Sequence, residues 1–223
     1  MLQRFLNLFL QTNCPLCQRP TAREFCQDCD RQLQRCQLPP PHEFNQGDLP
    51  VFVWGNYAGA LKRAIAALKY EHQPQLATPL GHWLGQAWLK SSASKSFKKP
   101  LVVPIPLHPT KLKQRGYNQA ELLAQSFCQI TGLKMQLGLE RIRATEAQFN
   151  LSPAERSQNL VNAFKVHPQL QRRIGTNPVL LLDDIYTTGA TAKAATQTLR
   201  QQGIVVCGLV AIATTQKQNL KSL

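Results

Sequence analysis

The stretch Val179–Arg200, VLLLDDIYTTGATAKAATQTLR, decides how the rest of the chain is read. Aliphatic residues from Val179 to Leu182 run directly into two carboxylates, Asp183 and Asp184, then hydroxyls and Gly189, then an alanine-rich run. An unbroken aliphatic run is the pattern of a strand buried on both faces, and the alanine-rich segment has the composition of a helix. Strand, turn and helix in that order belong to a parallel crossover, and open parallel sheets bind ligands beyond the carboxyl ends of their strands. The two acids fall at such an end.

An ionised carboxylate only accepts hydrogen bonds, whereas a sugar cis-diol offers two donors side by side. Asp183 and Asp184 therefore suit the 2- and 3-hydroxyls of a ribose. Thr187, Thr188, Gly189 and Thr191 bring hydroxyls and backbone N–H groups to a helix N-terminus, an anion site that fits a 5-phosphate. An Asp-Asp pair at a strand end equally suits Mg²⁺ or a helix cap, and both readings stand beside the sugar. The glycine fingerprints of dinucleotide folds and P-loops are absent from the sequence.

Outward from this stretch the chain alternates. A short strand at 51–54 precedes a helical pattern through YAGALKRAIAALKY, and LATPLGHWLGQAWLK has the same period. LVVPIP and GIVVCGLVAIA read as strands, and NQAELLAQSFCQITG as an amphipathic helix stopping at Gly132, with Asn118 as its cap. The expected fold class is α/β, a mostly parallel sheet flanked by helices. The segment QLPPPHEFNQGDLP reads as an extended connector, dividing an N-terminal region (1–50) from the body (51–223).

The chain has 223 residues, a formal net charge of +14 and seven cysteines. That charge favours phosphate-bearing partners, nucleic acid or small ligand, though a basic surface alone names no function. Cys14 and Cys17 form one CxxC and Cys26 and Cys29 another; two such knuckles close a tetrahedron of thiolates around zinc. Four soft ligands leave no open position, so the site should be structural. Cys36, Cys128 and Cys207 read as packing residues. MLQRFLNLFL places Leu2, Phe5, Leu6 and Phe9 on one helical face and is too short for a membrane span, which gives the expectation of a soluble, cytoplasmic protein with a short docking helix.

VLLLDDIYTTGAT resembles the phosphoribosyl pyrophosphate motif of the type I phosphoribosyltransferases. Together with VVPIPLHPTKLKQRGYNQAELLA, the paired CxxC head and RIRATEAQFNLSPAERSQNLVNAF, it resembles the ComF/GntX-like branch, associated with DNA uptake in bacteria; the likeness runs from Cys14 to about Ala213. It implies that Asp183 and Asp184 bind ribose hydroxyls and that Thr187, Thr188, Gly189, Ala190 and Thr191 hold the 5-phosphate. It places the pyrophosphate loop around 107–111, with Lys111, Arg115 and Asn118 as binding residues, and a lid over 141–156 with Arg143, Gln148 and Arg156. By itself, Lys69 reads equally well as a charge complementing its helix's C-terminus.

The implied ligand is phosphoribosyl pyrophosphate with Mg²⁺, beside the structural Zn²⁺. A transferase of this kind passes through an oxocarbenium-like state in which positioning and charge neutralisation on the leaving pyrophosphate carry the reaction. The acceptor and a general base are not legible; His108, near prolines, reads as structural. The sequence leaves turnover open. The competing reading is a non-catalytic module that binds single-stranded DNA and is regulated by the sugar phosphate. It would use Lys95, Lys98, Lys99, Lys111, Lys113, Arg115, Arg172 and Arg173 for phosphates, and Trp54, Trp83, Trp88 and Tyr117 for bases. A place in a DNA-uptake assembly and a dimeric state are further expectations.

Overall fold

The computed structural model describes residues 12–40, 43–46, 49–96, 99–143, 162–173 and 177–216. Strands are β1 (Thr12–Asn13), β2 (Pro20–Thr21), β3 (Glu43–Gln46), β4 (Leu49–Asn56), β5 (Leu101–Pro104), β6 (Leu139–Arg141), β7 (Phe164–Val166), β8 (Val179–Tyr186) and β9 (Val206–Thr214). Helices are α1 (Gln27–Gln34), α2 (Gly59–Tyr70), α3 (Ala77–Lys90), α4 (Ala93–Ser96), α5 (Pro109–Arg115), α6 (Gln119–Thr131), α7 (Pro168–Arg173) and α8 (Ala190–Arg200).

The main sheet has the order β3-β4-β9-β8-β5. β4, β9, β8 and β5 are parallel, and β3 is added antiparallel at one edge. This is the α/β sheet expected from the aliphatic runs. In β8 successive side chains point to opposite faces, so Leu180 and Leu182 enter one core while Val179 and Leu181 enter the other. The first core is closed by α2, α3 and α6, the second by α8 and the β6–β7 ribbon. A strand with helices on both faces has no reason to alternate polar and apolar residues, which is why 179–182 reads as it does.

The segment expected to be a connector is partly sheet. Residues 43–46 pair with 49–52 as the outermost strand, and the strand expected at 51–54 extends over Leu49–Asn56. Just past α1 the chain is already tied to β4: Leu38 N donates to Trp54 O at 3.0 Å and Asn56 N to Cys36 O at 2.8 Å. The prolines do not prevent this because those at 39–41 precede β3, and Pro50 stands near the start of β4, before its pairing with β9 begins at Val51.

The N-terminal head shares the body's core. Cys14, Phe25, Cys29 and Leu33 lie in the same buried cluster as Trp54, Leu61 and Trp88. Trp83 of α3 stacks between Phe25 (centroids 5.7 Å apart) and Trp54 (5.4 Å). Rings at such separations contribute about 0.5–1.5 kcal/mol beyond their burial.

Helices α3 and α6 meet closely because α3 presents glycine at the crossing. A Cβ on Gly81 would lie 2.6 Å from Ser126 Cβ and 2.7 Å from Leu123 O, both on α6. Gly81→Ala should therefore lower stability by about 1–3 kcal/mol, as overpacking does, while Gln86→Ala on the exposed face of the same helix should not. Urea unfolding of the two variants checks this, and equal midpoints would refute the close crossing. No helix among the described residues is long and apolar enough to cross a membrane. The stretch MLQRFLNLFL lies outside the described residues.

Candidate functional site

The aliphatic run of β8 ends with one acid inside and one at the mouth. Asp184 is 4% exposed and Asp183 half-buried. Lys69, from the last turn of α2, sends Nζ to Asp184 Oδ2; this side chain is itself only 16% exposed. The Gln119 side chain, at the start of α6, helps keep the Asp184 carboxyl low, and its Oε1 accepts from Arg115 Nη1. Asp183 Oδ1 accepts from the Asp184 backbone N–H at 2.8 Å.

The two carboxyls consequently differ in electrostatics. Burial alone would raise Asp184, but the Lys69 charge and the donated hydrogen bonds outweigh it and hold this carboxyl below the usual range. Burial, followed by the neighbouring Asp184 charge, pushes Asp183 well above it. Burial likewise works against the Lys69 ammonium, yet the Asp184 charge and hydrogen bond keep its pKa raised.

Opposite the acids stands a group of cations. Burial and then the charges of Arg141, Arg115 and Lys69 lower Lys111, so Lys111 stands within electrostatic reach of the other three. Arg141, at the end of β6, lies over the Phe164 ring at 5.6 Å; burial lowers it and the Asp183 charge acts the other way. Arg115 lies over the Tyr70 ring at 5.5 Å. Lys111 and Arg115 share one side of α5, which His108 caps: its Nδ1 accepts from Thr110 N at 3.3 Å. His108 is thus structural, as its setting suggests.

The turn after β8 runs through exposed Thr187 and Thr188 to Gly189 at φ 76°, in the left-handed region that favours glycine, and α8 begins at Ala190. Ala190 N donates to Thr188 Oγ1 at 3.4 Å, and Thr191 is half-buried in the first turn. The root of this turn is held from β9: Thr214 Oγ1 donates to Tyr186 O at 2.8 Å and Gln216 Nε2 to Thr187 O at 2.9 Å.

Asn118 caps α6 as expected, its Oδ1 accepting from Ala120 N at 3.1 Å and its Nδ2 donating to Ile105 O at 3.0 Å. Its described contacts tie the segment that follows β5 to the helix. Arg143 is exposed at the end of the described ribbon. Gln148, Arg156 and Lys98 lie outside the described residues, as do the side chains of Arg172 and Arg173. Lys95, Lys99 and Lys113 are exposed. The aromatics considered for base stacking are spent in packing: Trp54 and Trp88 are 1% and 4% exposed, Trp83 is sandwiched, and Tyr117 OH donates to Leu68 O.

Three participants escape a sequence reading. Lys69 carries only the signal of a cation ending a helix. Gln119 is an amide beside a cap. Arg141 could have been found from RIR, where it ends β6 two residues before Arg143.

In the head, the sulfurs of Cys14, Cys17, Cys26 and Cys29 all lie within 4.8 Å of one another, with Cys17 Sγ and Cys26 Sγ at 3.5 Å. Four thiol ligands at this spacing fit one tetrahedral metal ion. The Arg19 backbone N–H draws Cys17 down to about 6, which favours the thiolate a metal needs. Cys128 and Cys207 instead are pushed up to about 12 by burial, as inert packing thiols are.

No protein-family model matches the chain. Among curated proteins, the DNA utilization protein YhgH of Salmonella typhimurium is 31% identical over 192 residues, covering 85% of this chain and 78% of that protein. Competence protein F of Haemophilus influenzae is 29% identical over 210 residues, covering 89% of each. Among solved structures, the glutamine phosphoribosylpyrophosphate amidotransferase of B. subtilis matches 69% of this chain and 30% of its own, at 16% identity and a TM-score of 0.41; that distance says nothing about chemistry. The extent of the match to the DNA utilization and competence proteins places this chain in the ComF family.

Proposed function

We propose that the chain binds phosphoribosyl pyrophosphate with Mg²⁺ over the end of β8 and acts in DNA uptake. The observation that carries this reading is the juxtaposition of a carboxyl at the mouth of the site, Asp183, with the helix start at Gly189 on one side and Lys111, Arg115 and Arg141 on the other. A ribose hydroxyl pair fits the first, a 5-phosphate the second, and a pyrophosphate the third. Thr187, Thr188, Gly189, Ala190 and Thr191 supply donors to the phosphate. Asn118 holds the pyrophosphate loop in place, and Arg143 and Arg156 belong to the lid. Bound Mg²⁺ would neutralise charge on the pyrophosphate oxygens.

The four cysteines hold zinc, which stabilises the head and takes no part in chemistry. DNA uptake is proposed by extension from relatives named as competence and DNA-utilization proteins. With those four aromatics packed away, a direct contact with single-stranded DNA would draw mainly on phosphate charge and fall steeply with salt.

Titration calorimetry of zinc-loaded protein with phosphoribosyl pyrophosphate and Mg²⁺ tests the reading. Saturable heat is expected, with affinity reduced at least about tenfold in Asp183→Asn, on the scale of a lost charge-assisted hydrogen bond. Absence of heat from the intact protein would overturn it. Pyrophosphate release with a pool of bases then separates a transferase from a binding module.

A further inference from the structure

The two acids of the β8 terminus are adjacent in sequence and unlike in setting. Asp184 is buried and paired to Lys69, whereas Asp183 is half-buried. Lys69 arrives from α2, a helix that otherwise buries Leu61, Ile65 and Leu68 in the core. Gln119, which helps keep the same carboxyl low, accepts from Arg115, the last residue of α5. The ends of α2, α5 and β8 and the start of α6 thus meet near one buried anion.

We propose that Lys69 is a positioning residue of the sugar site, acting through Asp184: by fixing this carboxylate inward, it leaves Asp183 as the acid that meets the ligand and orients Arg115 towards the pyrophosphate. This rests on the sugar-phosphate reading above. Asp184 is 4% exposed and paired to Lys69, which leaves its carboxylate little surface to offer a sugar hydroxyl, whereas Asp183 is half-buried, so the two acids of the motif have unequal roles. Burying two adjacent carboxylates without a cation would force one or both to take up a proton at neutral pH. The charged and titratable groups around the pair are Lys69 and Tyr70 from α2, Tyr57 after β4, Arg141 from β6, and Lys111 and Arg115 from α5. Of these, Lys69 alone is described as ion-paired to Asp184.

A double-mutant cycle tests this with phosphoribosyl pyrophosphate and Mg²⁺ as the probe. At neutral pH Lys69→Met should weaken binding about tenfold in the wild-type background, within the range of coupling between contacting residues. In an Asp184→Asn background the same change should alter affinity less than about threefold, since Lys69 then has no anion to act through. An equal loss in both backgrounds would show that Lys69 touches the ligand itself and would overturn the proposal. Lys69→Arg keeps the charge and should restore binding to within about threefold of wild type.

Carbon-13 carboxyl titration of the ligand-free protein reads the pair without any sugar. Removing the cation disfavours the ionised acids, so the titration of the pair should move to higher pH in Lys69→Met and remain in place in Lys69→Arg. A merely structural lysine would change the melting temperature and leave this titration unmoved, and that result overturns the proposal whatever the calorimetry gives. Should Lys69→Met fail to fold, two comparisons decide: Asp184→Asn against Lys69→Met/Asp184→Asn, whose affinities should match, and Lys69→Arg against wild type. If the wild type gives no heat at all, the sugar reading falls by itself and the carboxyl titration still judges the Lys69–Asp184 linkage.

Discussion

Cys29→Ser is expected to unfold the N-terminal head, abolish zinc retention and destabilise the body along with it. Cys14 and Cys29 are buried while Cys17 and Cys26 lie nearer the surface, so the cluster closes the head over Phe25 and Leu33. Small metal-held units obtain most of their folding free energy from the ion, about 10–16 kcal/mol in isolated zinc-finger peptides at neutral pH. A three-thiolate site loses much of that. Because the head's apolar residues belong to the body's core, its loss uncovers Trp83 and part of Trp54, which it now covers through Phe25. Exposing Phe25 and Leu33 alone forfeits about 3–6 kcal/mol, at roughly 1.5–3 kcal/mol for each side chain. For a chain of this size, that corresponds to a fall in melting temperature of about 6–24 °C. The measurements are zinc per chain, tryptophan emission and thermal unfolding. Cys29→Ser should release the metal, shift emission to the red and melt earlier, whereas Cys36→Ser, outside the cluster, should retain zinc. Full zinc content and unchanged emission in Cys29→Ser would refute the account.

The alternating architecture was legible because its strands are buried on both faces. Val179–Leu182 and Val206–Thr214 carry no polar residue that needs a partner until the ligand end, and such runs have few alternatives. Caps were equally legible: Asn118 and Gly132 bracket α6 through local chemistry alone. The knuckle spacing likewise put four sulfurs within reach of one another. What the sequence did not show is what depends on crossing elements. The strand at 43–46 lies in a proline-bounded segment, and its pairing is decided by the free edge of β4. The merger of head and body cores depends on Trp83 lying between Phe25 and Trp54, three residues far apart in the chain. Lys69 is the sharpest case: a lysine at a helix end has an ordinary local explanation, and only the path of α2 across the site brings it to Asp184. The aromatics read as possible base platforms were chosen by type, and burial assigns them to packing.

Asp184→Ala should be the most damaging single change at the site, and for a reason separate from ligand binding. It leaves the Lys69 ammonium in a largely buried position with its partner removed. Removing one member of a buried ion pair costs about 3–5 kcal/mol, because the remaining charge is uncompensated. That is a melting temperature lower by about 6–20 °C for a chain of this length. Asp183→Asn removes no described ion-pair partner and should melt close to wild type while losing the sugar phosphate. The pH dependence separates this from simple loss of packing. The folded-state pKa of Asp184 is depressed, so its contribution is present above the unfolded carboxylate pKa of about 3.9 and is lost as pH falls through the folded value. Lys69, raised in the folded state, contributes below its unfolded pKa and loses that contribution only at strongly alkaline pH. Asp183 has the opposite sign: its raised pKa makes ionisation costly to the folded state, and acid relieves that cost. The gap in melting temperature between wild type and Asp184→Ala should therefore be widest near neutrality and narrow below about pH 4. Acid would strip a metal held by the four cysteines from both proteins alike, so the difference between them is the quantity to follow. A neutral-pH gap under about 3 °C, roughly 1 kcal/mol, would mean that Lys69 and Asp184 are solvated apart and not a buried pair.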